Sequence, residues 1–282
     1  MPCPLCDDTG WKPTVGSDGP RVVRCDCWRD GLGARLLADA RIPRRYQHCT
    51  LDNFLTYGNE SLDRAVAHAR RLVESYPVTD RGLFLLGPPG VGKTHLAVAV
   101  LREVVRRKGA RALFYDTREL LRVIRQTYDP VARTSESDVL RPVMETDLLA
   151  LDDLGAEKTS EWVEETLNLI VNHRYSERLT TIFTSNYEDT PDPTDPDALL
   201  CRIGFRMRSR LHEMCEFLDL DGADYRELPP NGGVDDLQTL WKLRQKTARR
   251  ALPSRAGSPA RAQLRDRDRS HDLKWSGGKA GT

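Results

Sequence analysis

The stretch GPPGVGKT, residues 87–94, fits the spacing G-x-x-x-x-G-K-[ST] and decides how the rest of the 282-residue chain is read. It follows an apolar run, GLFLLG (82–87), and opens a helical one, KTHLAVAVLREVVRRKG, so the pattern sits between a strand and a helix. Each residue type then has a chemical reason. Gly87, Gly90 and Gly92 permit a tight turn that aims backbone N–H groups at phosphate oxygens, and the following helix adds the positive end of its dipole. Lys93 is expected to reach the β/γ-phosphates of ATP, and the Thr94 hydroxyl to complete a Mg²⁺ shell. Pro88, Pro89, Val91 and His95 complete the loop and first helical turn and belong to the same nucleotide-binding set. An accidental glycine-rich turn is the plain alternative.

Outward from that loop, apolar runs alternate with helical patterns between about residues 55 and 228. ALFYD (112–116), DLLALDD (147–153), TTIFTSN (180–186) and EFLDL (216–220) read as further strands, with SEWVEETLNLIVNHRYSER a helix among them. Such alternation predicts an α/β fold, a parallel five-stranded sheet flanked by helices on both faces. One strand ends in two carboxylates, Asp152 and Asp153. Adjacent acids there are costly unless a cation lies opposite them. Asp152 is therefore expected to hold Mg²⁺, and Asp153 to position or activate an attacking water. An acidic turn or helix cap is the plainer reading. Asn186 closes the next strand, where its amide could orient that water, although a lone Asn after a strand is often a turn residue.

Strand then GPPGVGKT, strand then DD, strand then TSN resembles the AAA+ ATPases, which are P-loop NTPases. GPPGVGKTHLAVAV, LLALDDLGAEKTSEW, TTIFTSNY and RMRSRLHEMCEFLDLDGADYR are similar to the DnaC/DnaI-type helicase loaders and their IstB-type transposition-helper relatives, over about residues 42–228. The resemblance implies that ATP is bound between neighbouring subunits of a ring or spiral. It also suggests a use for CRIGFRMRSRL (201–211), which carries four arginines in a chain of formal net charge +1. A guanidinium stays protonated and grips phosphate with a rigid fork, so a neighbour's arginine would complete the γ-phosphate site. Matching the segment to the family makes Arg206 the expected finger and Arg210 the next choice, four residues on and on the same helix face; Arg208 points elsewhere. Arg226 in DYR stands where the family carries a second, cis arginine. A solvated basic face paired with acids such as Glu213 and Glu216 is the alternative for this cluster. IPRRYQHCTLDNF resembles the family's entry segment, with Tyr46 or Phe54 near the base.

Four of the seven cysteines fall in the first 27 residues, as CPLC (Cys3, Cys6) and CDC (Cys25, Cys27). An odd count in a chain that reads as cytoplasmic argues against a disulfide framework and for metal ligands or plain thiols. Two pairs of soft ligands predict a closed structural Zn²⁺ site, which would supply folding energy to a segment poor in aliphatic residues. Cys-x-Cys is tighter than the usual Cys-x-x-Cys, so Cys49 or His48 could replace one member. Zinc-bearing amino-terminal segments resemble those of some DnaI-type loaders, where that part contacts the helicase. Residues 1–54 are thus expected to be a zinc-binding appendage and linker, 55–228 the ATPase domain, and 229–282 a helix followed by a disordered basic tail.

No apolar run approaches the length needed to cross a bilayer, and MPCPLCDDTGW places no basic segment ahead of an apolar one, so a cytoplasmic protein with no membrane partner is expected. Near-zero net charge leaves nucleic-acid binding to local patches. Single-stranded DNA is the expected substrate of such a patch, with Arg118, Arg122, Arg125 and Tyr128 the candidate contacts, a solvated helix face being the alternative. The reading reached is an ATPase, slow and regulated by partner or DNA, that self-associates through its ATP interfaces and helps place a replicative DNA helicase on single-stranded DNA. An IstB-like transposition helper and a zinc-module adaptor with negligible ATP turnover are the rivals. A small-molecule kinase fits less well, because DD, TSN and a trans-arginine segment suit hydrolysis better than transfer.

Overall fold

The computed structural model turns the five apolar runs into five strands at almost the expected bounds. It describes residues 3–250, except 8, 17–18, 80, 130–133, 158–159, 193 and 196–197, and without the side chains of 24, 28–30 and 247–250. The tail expected beyond residue 250 lies outside the described residues. Strands β1 (Trp11–Gly16) and β2 (Gly19–Arg24) form an antiparallel pair, with Trp11 opposite Arg24. Helices α1 (Asp26–Asp39) and α2 (Glu60–Ser75) lead to β3 (Gly82–Leu86) and α3 (Lys93–Lys108). Then come β4 (Ala112–Asp116), α4 (Thr117–Gln126), α5 (Glu136–Glu145), β5 (Leu148–Asp152), α6 (Glu161–Ser176) and β6 (Thr180–Ser185). Helix α7 (Leu199–Met214) runs straight into β7 (Cys215–Asp219), and α8 (Val234–Arg250) follows. Among the described residues no helix is long and apolar enough to cross a membrane.

The larger sheet has the order β4-β5-β6-β3-β7, and every pairing is parallel. Covered on both faces, the central strands β5, β6 and β3 are buried along nearly their whole length instead of alternating with exposed residues. Leu83 and Leu85 of β3 enter one core with the buried faces of α2 and α3; Phe84 and Leu86 enter the other with α4, α5, α6 and α7. Phe84 anchors the second layer, its ring centroid 4.8 Å from that of Phe217 and 5.7 Å from that of Phe183. Helix α3 is covered by α1 and α2 as well as the sheet, which is why LAVAVL (96–101) is sealed from solvent without amphipathic relief.

The first core crosses the expected boundary at 54/55. Ala40, Cys49, Leu51 and Phe54 belong to it, and so does Leu237 of α8. The segment read as a linker thus packs with the ATPase domain, and so does the helix beyond residue 228. In α7, Gly204 (φ 77°, ψ 159°) separates a short first turn from a regular helix that starts at Phe205.

One buried cation organises the edge opposite the strand carboxyl ends. Arg174, fully buried near the end of α6, donates to Val143 O (3.1 Å), Met144 O (3.1 Å), Thr146 O (2.9 Å), Thr180 O (2.7 Å) and Thr181 Oγ1 (2.8 Å). Three of these carbonyls close α5, where the helical ladder leaves acceptors unfilled, so the guanidinium is the C-cap that α5 lacks in its own sequence. Burial pushes this guanidinium down to about 10, the cost of seating a cation among neutral dipoles. Arg174→Met keeps the volume but abandons the carbonyls, and is expected to lower unfolding free energy by about 3 kcal/mol or more. Urea unfolding reads the change, and a loss below about 1 kcal/mol would mean that water replaces the guanidinium.

Candidate functional site

The carboxyl ends of β3, β5 and β6 meet at the loop that precedes α3. Gly90 (φ 79°) and Gly92 (φ 105°) hold conformations that disfavour side chains, and neither has room for one. A Cβ on Gly92 would lie 2.7 Å from the Phe54 ring, and one on Gly90 1.7 Å from the Asp224 carboxylate. The loop backbone is therefore bare where a phosphate group would approach the start of α3.

Lys93 leaves this loop inward. Its Nζ donates to Gly87 O (2.7 Å), Pro88 O (2.8 Å) and Asn186 Oδ1 (2.7 Å), and burial pushes the ammonium down to about 8 although Asp152 and Asp153 pull it up. The Thr94 hydroxyl donates to both Asp152 oxygens (2.9 and 3.0 Å), and the Thr184 hydroxyl donates to Oδ1 of the same carboxylate (2.7 Å). Burial raises the Asp152 carboxyl above the usual carboxylate range, while the Thr184 and Thr94 hydroxyls hold it down. A hydroxyl beside a half-desolvated carboxylate is the hard-oxygen donor set that suits Mg²⁺. Asp153 occupies a left-handed turn (φ 60°), with its N–H on Thr184 Oγ1 (2.9 Å). Its carboxylate accepts from Asn186 Nδ2 (2.5 Å) and Arg118 Nη2 (3.1 Å). Lys93, Asn186, Asp153 and Arg118 thus form one chain of contacts.

These groups line a cleft of about 610 Å³. Tyr46, Asn53, Phe54, His95 and Tyr225 line it too, and so does Arg226. His95 is turned to the entry segment, its Nε2 3.1 Å from Thr50 O and 2.9 Å from Asn53 Oδ1, with its ring edge-on to Phe54.

The arginines of α7 separate by environment. Arg208 grips Asp189 with Nε (2.5 Å) and Nη2 (3.1 Å), and His212 Nε2 lies 2.8 Å from the same carboxylate. Arg206 and Arg210 instead line a groove with Glu161, Glu164 and Glu165 of α6, apart from this chain's own nucleotide cleft. The DNA-facing set proposed on α4 disperses. Arg118 turns into the cleft onto Asp153, Arg122 pairs with Glu119, and Arg125 lies over the Trp162 ring (4.6 Å). Helical spacing puts residues on a face but does not show which carboxylate or ring stands opposite, and here each of the three arginines has a different partner.

At the other end of the chain, the sulfurs of Cys3, Cys6, Cys25 and Cys27 all lie within 4.8 Å of one another. Cys3–Cys25 is 3.8 Å and Cys6–Cys27 3.1 Å. A tetrahedral site with Zn–S bonds of about 2.3 Å separates its sulfurs by about 3.8 Å, so the cluster fits one ion. The alternatives fall away: Cys49 lies in the main core, where burial pushes its thiol up, and His48 lines the nucleotide cleft.

Sequence reasoning passed over Thr184, the residue that joins Asp152 to the backbone of Asp153. Its signal was the TSN triplet itself, two residues before Asn186 on a strand with period two. Glu157, whose carboxyl is lifted to about 7 by burial with Asp116 and Asp153 adding repulsion, had no sequence signal at all.

The family described as IstB-like ATP binding protein matches residues 28–228. The replicative helicase loader DnaI of Bacillus subtilis (strain 168) is 29% identical over 150 residues, 52% of this chain and 45% of that protein. The replicative helicase loader DnaC of Escherichia coli (strain K12) is 28% identical over 146 residues, 51% of this chain and 58% of that protein. The matched region therefore spans about half the length of these relatives. Among solved structures, that of a DnaC helicase loader superposes with a TM-score of 0.56 at 34% identity, covering 64% of this chain and 100% of that one. The five-stranded P-loop architecture is the one shared with such AAA+ proteins.

The depressed ammonium of Lys93 has a measurable sign. Phosphate oxygens favour the protonated form, whereas the ligand-free site loses its proton as pH rises through about 8. Binding must then restore that proton, so ATP affinity is expected to be level below pH 7 and about tenfold weaker at pH 9. Equal binding isotherms at the two pH values would exclude contact between this ammonium and the phosphates.

Proposed function

The chain belongs to the IstB-like ATP-binding family, and on that premise we propose that it is a Mg²⁺-dependent ATPase that acts as a replicative helicase loader. The observation that carries the ATPase reading is the convergence of Lys93, the Thr94–Asp152 pair and the Asp153–Asn186 pair at three adjacent strand ends. The loader reading is supported by two curated relatives that are replicative helicase loaders, DnaI and DnaC.

Bound Mg²⁺ would neutralise charge across the phosphate oxygens, and Thr94 with Asp152 would hold it. Lys93 exchanges its carbonyl acceptors for phosphate oxygens, and the N–H groups of the loop complete the cradle. Asp153, steadied by Asn186 and Arg118, orients the attacking water and draws off its proton. The water oxygen bonds to the γ-phosphorus as the bond to the β–γ bridging oxygen breaks, leaving ADP and phosphate. Arg226 serves the same phosphates from within the chain. Arg206, remote from its own cleft, serves a neighbouring copy, with Arg210 beside it. Turnover is slow until a partner or single-stranded DNA engages. The cysteine cluster holds one structural Zn²⁺, which fixes the β1–β2 hairpin as a helicase contact.

Co-sedimentation of the protein with the replicative helicase of its own host, with and without ATP, tests the loader role. A saturable, ATP-sensitive complex is expected, weakened at least tenfold by Cys25→Ser with Cys27→Ser, alongside one zinc per wild-type chain by metal analysis. Absence of a complex in both states would leave the transposition helper as the reading to pursue, with a transposase and DNA as the partner. The trans role of Arg206 has its own readout. Lys93→Ala and Arg206→Ala proteins, each inactive alone, are expected to recover ATPase activity when mixed, because some mixed interfaces pair an intact site with an intact finger. No recovery at any ratio would sink that assignment.

A further inference from the structure

The segment that leaves β7 crosses directly over the phosphate loop. The Tyr225 N–H donates to Gly90 O (3.1 Å), and the Tyr225 hydroxyl donates to Leu55 O. The Arg226 N–H is held by Asp224 Oδ1 (2.9 Å), the carboxylate that fills the space beside Gly90. The turn that presents Arg226, Tyr225–Glu227, is a single 3₁₀ turn with no buried residue. So short a turn has little stability of its own, and its placement must come from outside it.

Much of that placement comes from α8. Arg244 Nη1 donates to Gly222 O (2.9 Å), and Trp241 Nε1 reaches Asp221 Oδ2 (3.5 Å). Gln238 Nε2 donates to Tyr57 O (3.1 Å), and the Tyr57 hydroxyl in turn accepts the Ala223 N–H (2.9 Å). The Tyr57 ring sits between Trp241 (6.1 Å) and Tyr225 (6.5 Å), and Leu237 anchors the helix in the main core with no exposed surface. From α8 to the phosphate loop the path is continuous: Gln238, Tyr57, Ala223, Tyr225, Gly90.

We infer that α8 positions Arg226 for the nucleotide phosphates, with Arg244 and Tyr57 as the positioning residues. The inference rests on the ATPase reading. Arg244 touches no part of the cleft; it fixes the carbonyl of Gly222, four residues before Arg226, so the backbone that carries Arg226 meets the phosphates already placed. Freedom in that segment would have to be frozen at binding, at the expense of affinity.

Binding of ATP to the full chain, first wild type and then variants, tests this. Arg244→Ala is expected to weaken ATP binding about fivefold to tenfold, and Arg244→Lys, which can still donate to Gly222 O, to return it to within about twofold. Tyr57→Phe, which keeps the ring and removes only the hydroxyl, is expected to weaken binding about threefold without lowering the unfolding midpoint of the nucleotide-free protein by more than a few degrees. Because the effect runs through Arg226, Arg244→Ala is expected to add no further loss in an Arg226→Ala background. Unchanged affinity in both single variants, or losses of Arg244→Ala and Arg226→Ala that multiply in the double variant, would overturn the positioning role while leaving the ATPase reading intact. A wild-type chain that binds no ATP would overturn that reading itself, and with it this inference.

Discussion

Asp152 ties the catalytic edge of the sheet together. Its carboxylate accepts from Thr94 at the start of α3 and from Thr184 in β6, while its backbone carbonyl accepts from Thr117 (2.8 Å) at the start of α4. One residue at the end of β5 thereby fixes the exits of β3, β4 and β6. A carboxylate raised by burial is an unfavourable choice for a purely structural tie. Two hydroxyl donors soften the cost, and a divalent cation would remove most of it, so scaffold and metal site make the same demand on one side chain.

The parts of this architecture visible in the sequence depend on short-range regularity. Five apolar runs of strand length, a glycine pattern between strand and helix, and two close cysteine pairs can each be recognised inside a window of a few residues. What escaped depends on pairs far apart in the chain. Arg174 looks like one more basic residue on a helix until the end of α5, about thirty residues earlier, is folded against it. The pairing of Arg118 with Asp153 leaves no local mark because the two lie 35 positions apart. The packing across residue 54 escapes for the same reason: Ala40 and Leu51 are too sparse to form a pattern, and join the core only beneath α3.

The arginine segment shows how packing sorts a cluster that composition treats as uniform. Arg208 is committed to Asp189, three residues after Asn186, so the helix of the finger candidates is pinned to the loop that follows the residue proposed to orient the attacking water. Arg206, exposed, and Arg210, half-buried, share the opposite face with the acids of α6, without such a commitment. Alternation along one helix thus separates a residue that holds the scaffold from residues that face outward.

Gly204 and the loop-free junction with β7 give α7 the mechanics of a cantilever. The regular part begins at Phe205 and passes into β7 at Cys215 without an intervening loop, so its root is set by the sheet while Met207 and Leu211 hold its inner face in the core. Ten residues of helix make an arm of about 15 Å. Rotation of that arm by about 10° at its root would carry its tip through roughly 2.5 Å, the difference between a made and an unmade hydrogen bond. Arg206 stands near the tip and Arg208 nearer the clamp. Under such a rotation Arg206 would travel further than Arg208, which the ion pair with Asp189 restrains.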